Sequence, residues 1–163
     1  MKLLPLLLLG ILLTSCATSY QSSGSTGGFY HNKVAENAYI IGFNGNGFTK
    51  SSRATDFALL RAAEIGKKLG YTHFVVEGSI DTSSREIINN GSTTTTSGNV
   101  YGYGNSASYS GTSTTTQNTV PVYKPGVEIG VLYSEGIPEG RHLEILVIDQ
   151  IIQELTEKYD IQL

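Results

Sequence analysis

The longest uniform stretch of the sequence limits how much of the chain can build a core. From Ile87 to Tyr123 there is no Asp, Glu, Lys, Arg or His, and most residues over 92–119 are Ser, Thr, Gly or Asn. Such a segment buries too little apolar surface to offset the entropy of ordering it. We therefore expect an insertion over 87–119 that is disordered or, as the alternative, an extended polar hairpin, because Thr and Tyr favour strands.

The amino terminus has the organisation of an export signal. Lys2 precedes an apolar run, Leu3 to Leu13, which is too short to cross a bilayer but suits a signal-peptide core. The run ends in Leu-Thr-Ser-Cys, and Cys16 is the only cysteine among 163 residues. These four residues resemble the lipobox of bacterial lipoproteins, in which the cysteine thiol receives diacylglycerol and the cysteine becomes the first residue of the mature chain.

The lipobox resemblance implies a location as well as a modification. It implies a signal peptide over 1–15 and a Cys16 that carries palmitate and diacylglycerol, since two or three acyl chains anchor a protein stably. Ala17, rather than Asp, follows the cysteine, and the usual sorting rule then favours the outer membrane, with the domain facing the periplasm. Residues 16–28 are rich in Ser and Gly, so we expect a flexible tether between the lipid and the domain.

Hydrophobic patterns predict one small α+β domain over 29–163, interrupted by the insertion. We expect a three-stranded sheet with two helices on one face, in the order β-α-β-β-α, and the insertion lies between strands 2 and 3. The predicted strands cover 38–43, 71–77 and 127–133, and the predicted helices cover about 51–69 and 143–159. Gly70 is expected to end the first helix in a left-handed conformation, and Thr49, Ser51 or Ser52 to cap its start.

The loop before the first predicted helix is the best candidate for a ligand site. Its sequence, Gly-Phe-Asn-Gly-Asn-Gly over 42–47, follows a strand and precedes a helix, as anion-binding loops do. The spacing departs from both the dinucleotide fingerprint and the nucleotide P-loop. We therefore interpret it first as a structural turn and second as an anion or ligand loop made by Gly45, Asn46, Gly47 and Thr49.

Two further groups of apolar or aromatic residues are candidates for contact with partners. Phe57 and Leu60 fall among polar positions of the first predicted helix, so they either pack beneath a second element or belong to a partner surface. Tyr101, Tyr103 and Tyr109 interrupt the polar insertion. Because aromatic faces stack on sugars, these tyrosines are candidate glycan contacts.

Sequence patterns for catalysis, metal binding and nucleic-acid binding are missing. His31, His73 and His142 have no His or Cys neighbour at metal-ligand spacing, and neither a His-Glu-x-x-His nor a Gly-x-Ser-x-Gly motif occurs. Arg61 and Glu64 are interpreted as a surface ion pair. The net charge of −3 lacks the basic excess that phosphate backbones require. We therefore expect no enzyme, metal, cofactor or nucleic-acid partner.

Three consecutive motifs resemble a family of small, uncharacterised proteobacterial lipoproteins. They are a Gly-Asn-Gly-aromatic-Thr turn after an aromatic strand at 39–49, a Leu-Arg-Ala-Ala-Glu helix at 60–64 and a Gly-Tyr-x-x-Phe strand at 70–74. The resemblance implies an envelope lipoprotein and no particular reaction. We expect a non-catalytic outer-membrane lipoprotein for protein interaction or envelope maintenance, with an envelope protein or peptidoglycan as partner. The alternative is a glycan- or small-ligand-binding module that uses the Gly-Asn-Gly loop or the Tyr-rich insertion.

Overall fold

The computed structural model describes residues 16–103, 106–136 and 144–163. For 100–103 and 106–109 it describes the backbone alone. The predicted signal peptide, 1–15, lies outside the described residues, and so does His142. The described chain divides into two compact units. Of the described residues, the first contains 16–84, 123–136 and 144–163, and the second contains 85–103 and 106–122.

The first unit contains a five-stranded antiparallel sheet and two helices. The strand order in this sheet is β1-β2-β6-β3-β7. Both β2 and β3 pair antiparallel with β6, so these two strands run parallel to each other on either side of it. The elements of this unit are β1 (Gly28–Lys33), β2 (Ala38–Asn44), α1 (Ser51–Leu69), β3 (His73–Asp81), β6 (Gly126–Ser134), β7 (Ile145–Val147) and α2 (Ile148–Tyr159).

The prediction of a three-stranded sheet in the order β-α-β-β-α is wrong, because the protein is mostly β and its main sheet has five strands. The additional strands lie at the two edges. β1 is short and half exposed, and its Tyr-His-Asn sequence has no hydrophobic alternation. β7 has only three residues and lies inside the range predicted for the last helix. Pairing with β3, from His73↔Val147 to Val75↔Ile145, makes this segment a strand.

The first helix occupies its predicted range and ends as expected. Gly70 closes α1 with φ 88°, and its N–H bonds back to the carbonyl groups of Gly66 and Lys67. The predicted cap at the start is wrong, because Lys50 occupies the N-cap position and no side chain caps the helix. Thr49, one of the expected caps, directs its hydroxyl group to the loop before the helix.

The core lies between one face of the sheet and the two helices. On β6, the side chains of Ile129, Val131 and Tyr133 are buried and that of Val127 is partly buried. Tyr133 donates a hydrogen bond from its hydroxyl group to the Ala62 carbonyl at 2.7 Å. Small residues of α1 let the helix approach the sheet closely. The strands contribute to the core cluster Tyr39, Ile41, Phe43, Phe74, Ile129, Val131 and Tyr133, and the helices contribute Ala54, Phe57, Ala58, Ala62, Ala63, Ile65 and Ile148.

The second unit is the Ser/Thr-rich insertion, and it forms a two-stranded antiparallel ribbon. Its strands are β4 (Ser84–Tyr103) and β5 (Ser106–Lys124). Hydroxyl groups pair across the ribbon, for example Thr94 with Thr115 at 2.9 Å. The described side chains of 84–99 and 110–121 are all exposed. Of the two expectations for this segment, disorder and a hairpin, the structure therefore has the hairpin.

Candidate functional site

Cys16 is exposed, and it and Thr18 contact the loop before α1. The side chain of Asn46 makes the first attachment. Its Nδ2 group donates a hydrogen bond to the Cys16 carbonyl at 2.8 Å. Its Oδ1 atom accepts bonds from the Phe48 N–H and the Thr49 hydroxyl group, each at 3.0 Å. One amide side chain thus connects the proposed lipid-attachment residue to the loop before α1.

Thr18 makes a second attachment to the same loop. Its side chain is buried, and its N–H donates to Thr49 Oγ1 at 3.0 Å. Its own hydroxyl group accepts a bond from the Asn46 N–H at 2.9 Å and donates to the Thr26 carbonyl at 2.9 Å. Gly45 is required beside these residues, since a Cβ atom there would come within 2.6 Å of the Thr49 side chain.

The candidate ligand loop therefore binds the protein's own amino-terminal segment. The side chains of Asn46 and Thr49 and the N–H of Asn46 all have partners within the chain. Gly47, the remaining glycine of the candidate set, is exposed in the same turn. The structural-turn interpretation agrees with this geometry better than an open anion-binding loop does.

Tyr20 forms the third attachment, on the side of α1. Its ring lies 4.8 Å from the Phe29 ring and 5.3 Å from the Phe57 ring, measured between centroids. Its hydroxyl group donates a hydrogen bond to Glu64 Oε2. Burial, followed by the contact with the Glu64 carboxylate, raises the pKa of Tyr20 far above its usual range. The neutral hydroxyl group is therefore held in place as a donor.

Arg61 and Glu64 form the expected i,i+3 pair, but they also hold the amino-terminal segment. Arg61 Nη1 lies 3.0 Å from Glu64 Oε2, and each side chain is only 23% exposed. The Arg61 guanidinium group also stacks over the Phe29 ring, 4.4 Å from its centroid. Glu64 accepts from both Arg61 and Tyr20, so the pair contributes more contacts than an isolated surface ion pair does.

Residues 16–28, expected to be a flexible tether, are part of the first unit and are attached to its sheet and to α1, although residues 21–26 are exposed. The segment makes a parallel bridge between Ser22 and Phe29 and an antiparallel bridge between Gly24 and Gly27. Gly27 has φ 94°, and a Cβ atom there would lie 2.2 Å from the Asn44 carbonyl oxygen. The Gly/Ser composition concealed Thr18 and Tyr20, whose buried contacts attach the segment. Tyr20, an aromatic residue within a polar segment, is the feature of the sequence that could have indicated this attachment.

A recess of about 400 Å³ lies beside the attachment of Cys16. Phe48 stands at this recess with 73% of its surface exposed. The charged residues of the lining are all basic. The lining consists of Ala17, Phe48, Lys50, Ser52, Arg53, Lys158 and Tyr159.

A larger cavity, of about 660 Å³, borders Arg61 and Glu64 on α1 and His31 on β1. Burial, and then the Arg61 charge, lowers the pKa of His31 below its usual value. Glu64, the acidic side chain of this lining, accepts bonds from Arg61 and Tyr20. The lining also contains two lysines, Lys67, which pairs with Asp149, and Lys68. The cavity therefore combines basic groups and apolar surface with a carboxylate that already has partners.

The remaining candidate residues do not converge on one site. Phe57 and Leu60, considered for a partner surface, are both completely buried. Phe57 packs its ring against Phe43 and Tyr159 as well as Tyr20. The candidate glycan contacts occupy the ribbon strands, but their side chains lie outside the described part of the structure; they are Tyr101, Tyr103 and Tyr109.

Within 16–103, 106–136 and 144–163, no three His, Cys, Asp or Glu side chains are grouped so that they could hold a metal ion. In the same residues no helix is long and apolar enough to cross a membrane. Comparisons of the chain with protein-family models, with curated proteins and with solved structures find no match.

Proposed function

We propose that this protein is a bacterial outer-membrane lipoprotein, anchored through an acylated Cys16 and resembling the small proteobacterial lipoprotein family. The mature chain begins at Cys16 and presents a non-catalytic domain to the periplasm for protein interaction or envelope maintenance. The observation that carries the proposal is the position of the only cysteine, which ends an apolar leader and directly precedes the first packed residues.

The structure around Cys16 supports an anchoring role. Cys16 is exposed, so its thiol group is accessible to the enzymes that would modify it. Asn46 holds the Cys16 carbonyl, and Thr18 is buried only two residues later. The folded domain therefore begins directly at the proposed lipid and lies close to the bilayer surface.

Replacement of the anchor residue tests this proposal. In the Cys16→Ala variant the nucleophilic thiol group is missing, so incorporation of radiolabelled palmitate should be abolished. The Ser19→Ala variant, which changes an exposed residue outside the lipobox, is the matched control and should be labelled normally. Labelling is the decisive measurement, because an uncleaved leader could hold the variant at the membrane. Unchanged labelling of Cys16→Ala would refute the anchor.

A second candidate function is contact with a glycan through the ribbon of β4 and β5. The observation that favours it is the exposure of hydroxyl and amide side chains along both strands, over 84–99 and 110–121. Groups of this kind form hydrogen bonds with sugars. A peptidoglycan pull-down with the full chain and with a chain that lacks 92–119 tests this function, since equal retention of both would remove the ribbon from consideration.

A further inference from the structure

We propose that the surface around Cys16 contacts the anionic lipid headgroups of the same bilayer that holds its acyl chains. We name this surface, formed by Phe48, Lys50 and Arg53, the anchor face. In this arrangement the Phe48 ring enters the membrane interface, and the two basic side chains face lipid phosphates. The inference rests on the proposed function, because the acyl chains bring the anchor face to the bilayer.

The position of Phe48 relative to the lipid is set by one side chain. Asn46 bonds the Cys16 carbonyl at 2.8 Å and the Phe48 N–H at 3.0 Å. Phe48 is 73% exposed, the highest fraction among the exposed large apolar side chains of the described residues. A single exposed apolar residue is ordinary on a protein surface. This one is tied to the residue that carries the lipid, and aromatic residues favour the membrane interface.

Charge on the anchor face is complementary to an anionic surface. Lys50 is exposed, and Arg53 stacks on the rings of Phe57 and Tyr159, 5.0 Å from each centroid. Lys158, the third basic residue at the recess, is already paired with Asp56 at 2.8 Å. Lys50 and Arg53 therefore provide a local positive surplus on a chain whose net charge is −3. An anionic membrane attracts this face and repels the molecule as a whole.

The covalent lipid makes weak contacts sufficient for orientation. One aromatic ring and two basic side chains bind a membrane weakly by themselves. Once Cys16 is held in the bilayer, the contact becomes intramolecular and occurs at a high effective concentration. Ala17, the residue next to Cys16, lines the recess. Lipid headgroups are therefore the molecules placed nearest to this surface, in preference to a protein partner.

A tryptophan substitution tests the proposal directly, because the chain contains no Trp. The Phe48→Trp variant introduces one fluorophore into the anchor face. The matched control is Val34→Trp, at a residue 63% exposed beyond the far end of the β1–β2 pair. That position lies on the order of 20 Å along the strands from Asn44. Each mature chain, 16–163, is coupled through its Cys16 thiol group to a maleimide lipid in phosphatidylcholine vesicles, with or without phosphatidylglycerol and with brominated acyl chains as quenchers.

The expected result is a blue-shifted emission of Phe48→Trp and quenching about twofold or more stronger than in Val34→Trp. An interfacial ring lies roughly 5–10 Å into the headgroup region, whereas position 34 stays in water. Phosphatidylglycerol should increase the difference, and the added substitutions Lys50→Gln and Arg53→Gln should remove that increase. Equal quenching of the two tryptophan variants would overturn the proposal and would agree with a protein partner on this face.

The vesicle experiment is independent of acylation in cells. Maleimide coupling uses the same sulfur atom as the proposed diacylglycerol but needs no modifying enzyme. Unchanged palmitate labelling of Cys16→Ala would contradict the proposed lipid anchor. Equal quenching of the two tryptophan variants in coupled chains would contradict the membrane contact of the anchor face, so the two failures are distinguishable.

Discussion

At the scale of single residues, one asparagine decides what the Gly-Asn-Gly loop does. Asn46 uses both atoms of its amide group, one toward Cys16 and the other toward Phe48 and Thr49. A loop with this sequence between a strand and a helix is also typical of anion sites. Here the Asn46 Nδ2 group donates to the Cys16 carbonyl and the Asn46 N–H donates to the Thr18 hydroxyl group. Because these donors already have acceptors within the chain, the loop binds the amino-terminal segment.

Substitutions of Asn46 separate the contribution of its donor group from that of its acceptor atom. Asn46→Ala removes all three side-chain bonds and should lower the free energy of unfolding by about 1–3 kcal/mol, at roughly 1 kcal/mol for each bond. Asn46→Asp keeps both acceptor bonds but places a carboxylate oxygen opposite the Cys16 carbonyl oxygen, so its loss should be at least about 1 kcal/mol. Urea denaturation measures both, and limited proteolysis within 17–28 should accelerate in both variants.

The matched control for Asn46 is Asn32→Ala, which truncates an exposed asparagine in β1. Its stability should change by less than about 0.5 kcal/mol. If Asn46→Ala were as stable and as resistant to proteolysis as this control, the attachment of the amino-terminal segment through Asn46 would be contradicted.

At the scale of secondary structure elements, the ribbon of β4 and β5 forms a compact unit of its own. β4 has 20 residues, and a strand of that length extends roughly 65 Å. Cross-strand hydroxyl pairs and β-branched Thr side chains hold the ribbon together without a buried face. The described side chains of this unit bury almost nothing, so its contribution to the stability of the first unit should be small.

Shortening of the ribbon tests whether its contribution to stability is small. A chain that lacks 92–119, closed by an Asn-Gly turn, should unfold within about 4 °C of the full chain, because a change of 1 kcal/mol shifts the midpoint by about that much. The measurement is thermal unfolding followed by circular dichroism. A decrease greater than about 10 °C would show that the ribbon packs against the core. The same deletion is the variant for the peptidoglycan pull-down, and a stable shortened chain makes that comparison valid.

At the scale of the whole molecule, Gly66 is the position where α1, α2 and the sheet meet. A Cβ atom at Gly66 would lie 2.5 Å from Ile148 Cδ1 and 2.7 Å from Tyr133 Cε1. Glycine costs about 1 kcal/mol in a helix relative to alanine. The close packing of three elements therefore requires a residue that the helix alone would not favour.

Gly66→Ala should consequently destabilise the protein despite the better helix propensity of alanine. Overpacking of a core costs about 1–3 kcal/mol, so the urea midpoint should decrease. Gly130→Ala is the matched control, because a Cβ atom at Gly130 in β6 meets nothing within 4 Å. Its stability should change by less than about 0.5 kcal/mol. A Gly66→Ala variant as stable as the control would contradict the close contact of α1 with Ile148 and Tyr133.

The sequence by itself determined the elements whose evidence is local. Helical periodicity and Gly70 set the range of α1, runs of β-branched and aromatic residues marked β2 and β3, and alternation marked β6. The Leu-Thr-Ser-Cys motif pointed to Cys16 as the anchor, which stays a prediction. These signals are readable because each depends on neighbouring residues and not on distant partners.

Only the tertiary structure decided the features that depend on residues far apart in the chain. β1 and β7 have weak patterns of their own and become strands by pairing with β2 and β3. The supposed tether is held by Thr18 and Tyr20, which contact residues 31 and 44 positions away. Composition describes such a segment as flexible, because an average over residues does not reveal which two side chains find a buried site. The anchor face arises in the same way, from an N-terminal segment that folds back onto its own Gly-Asn-Gly loop.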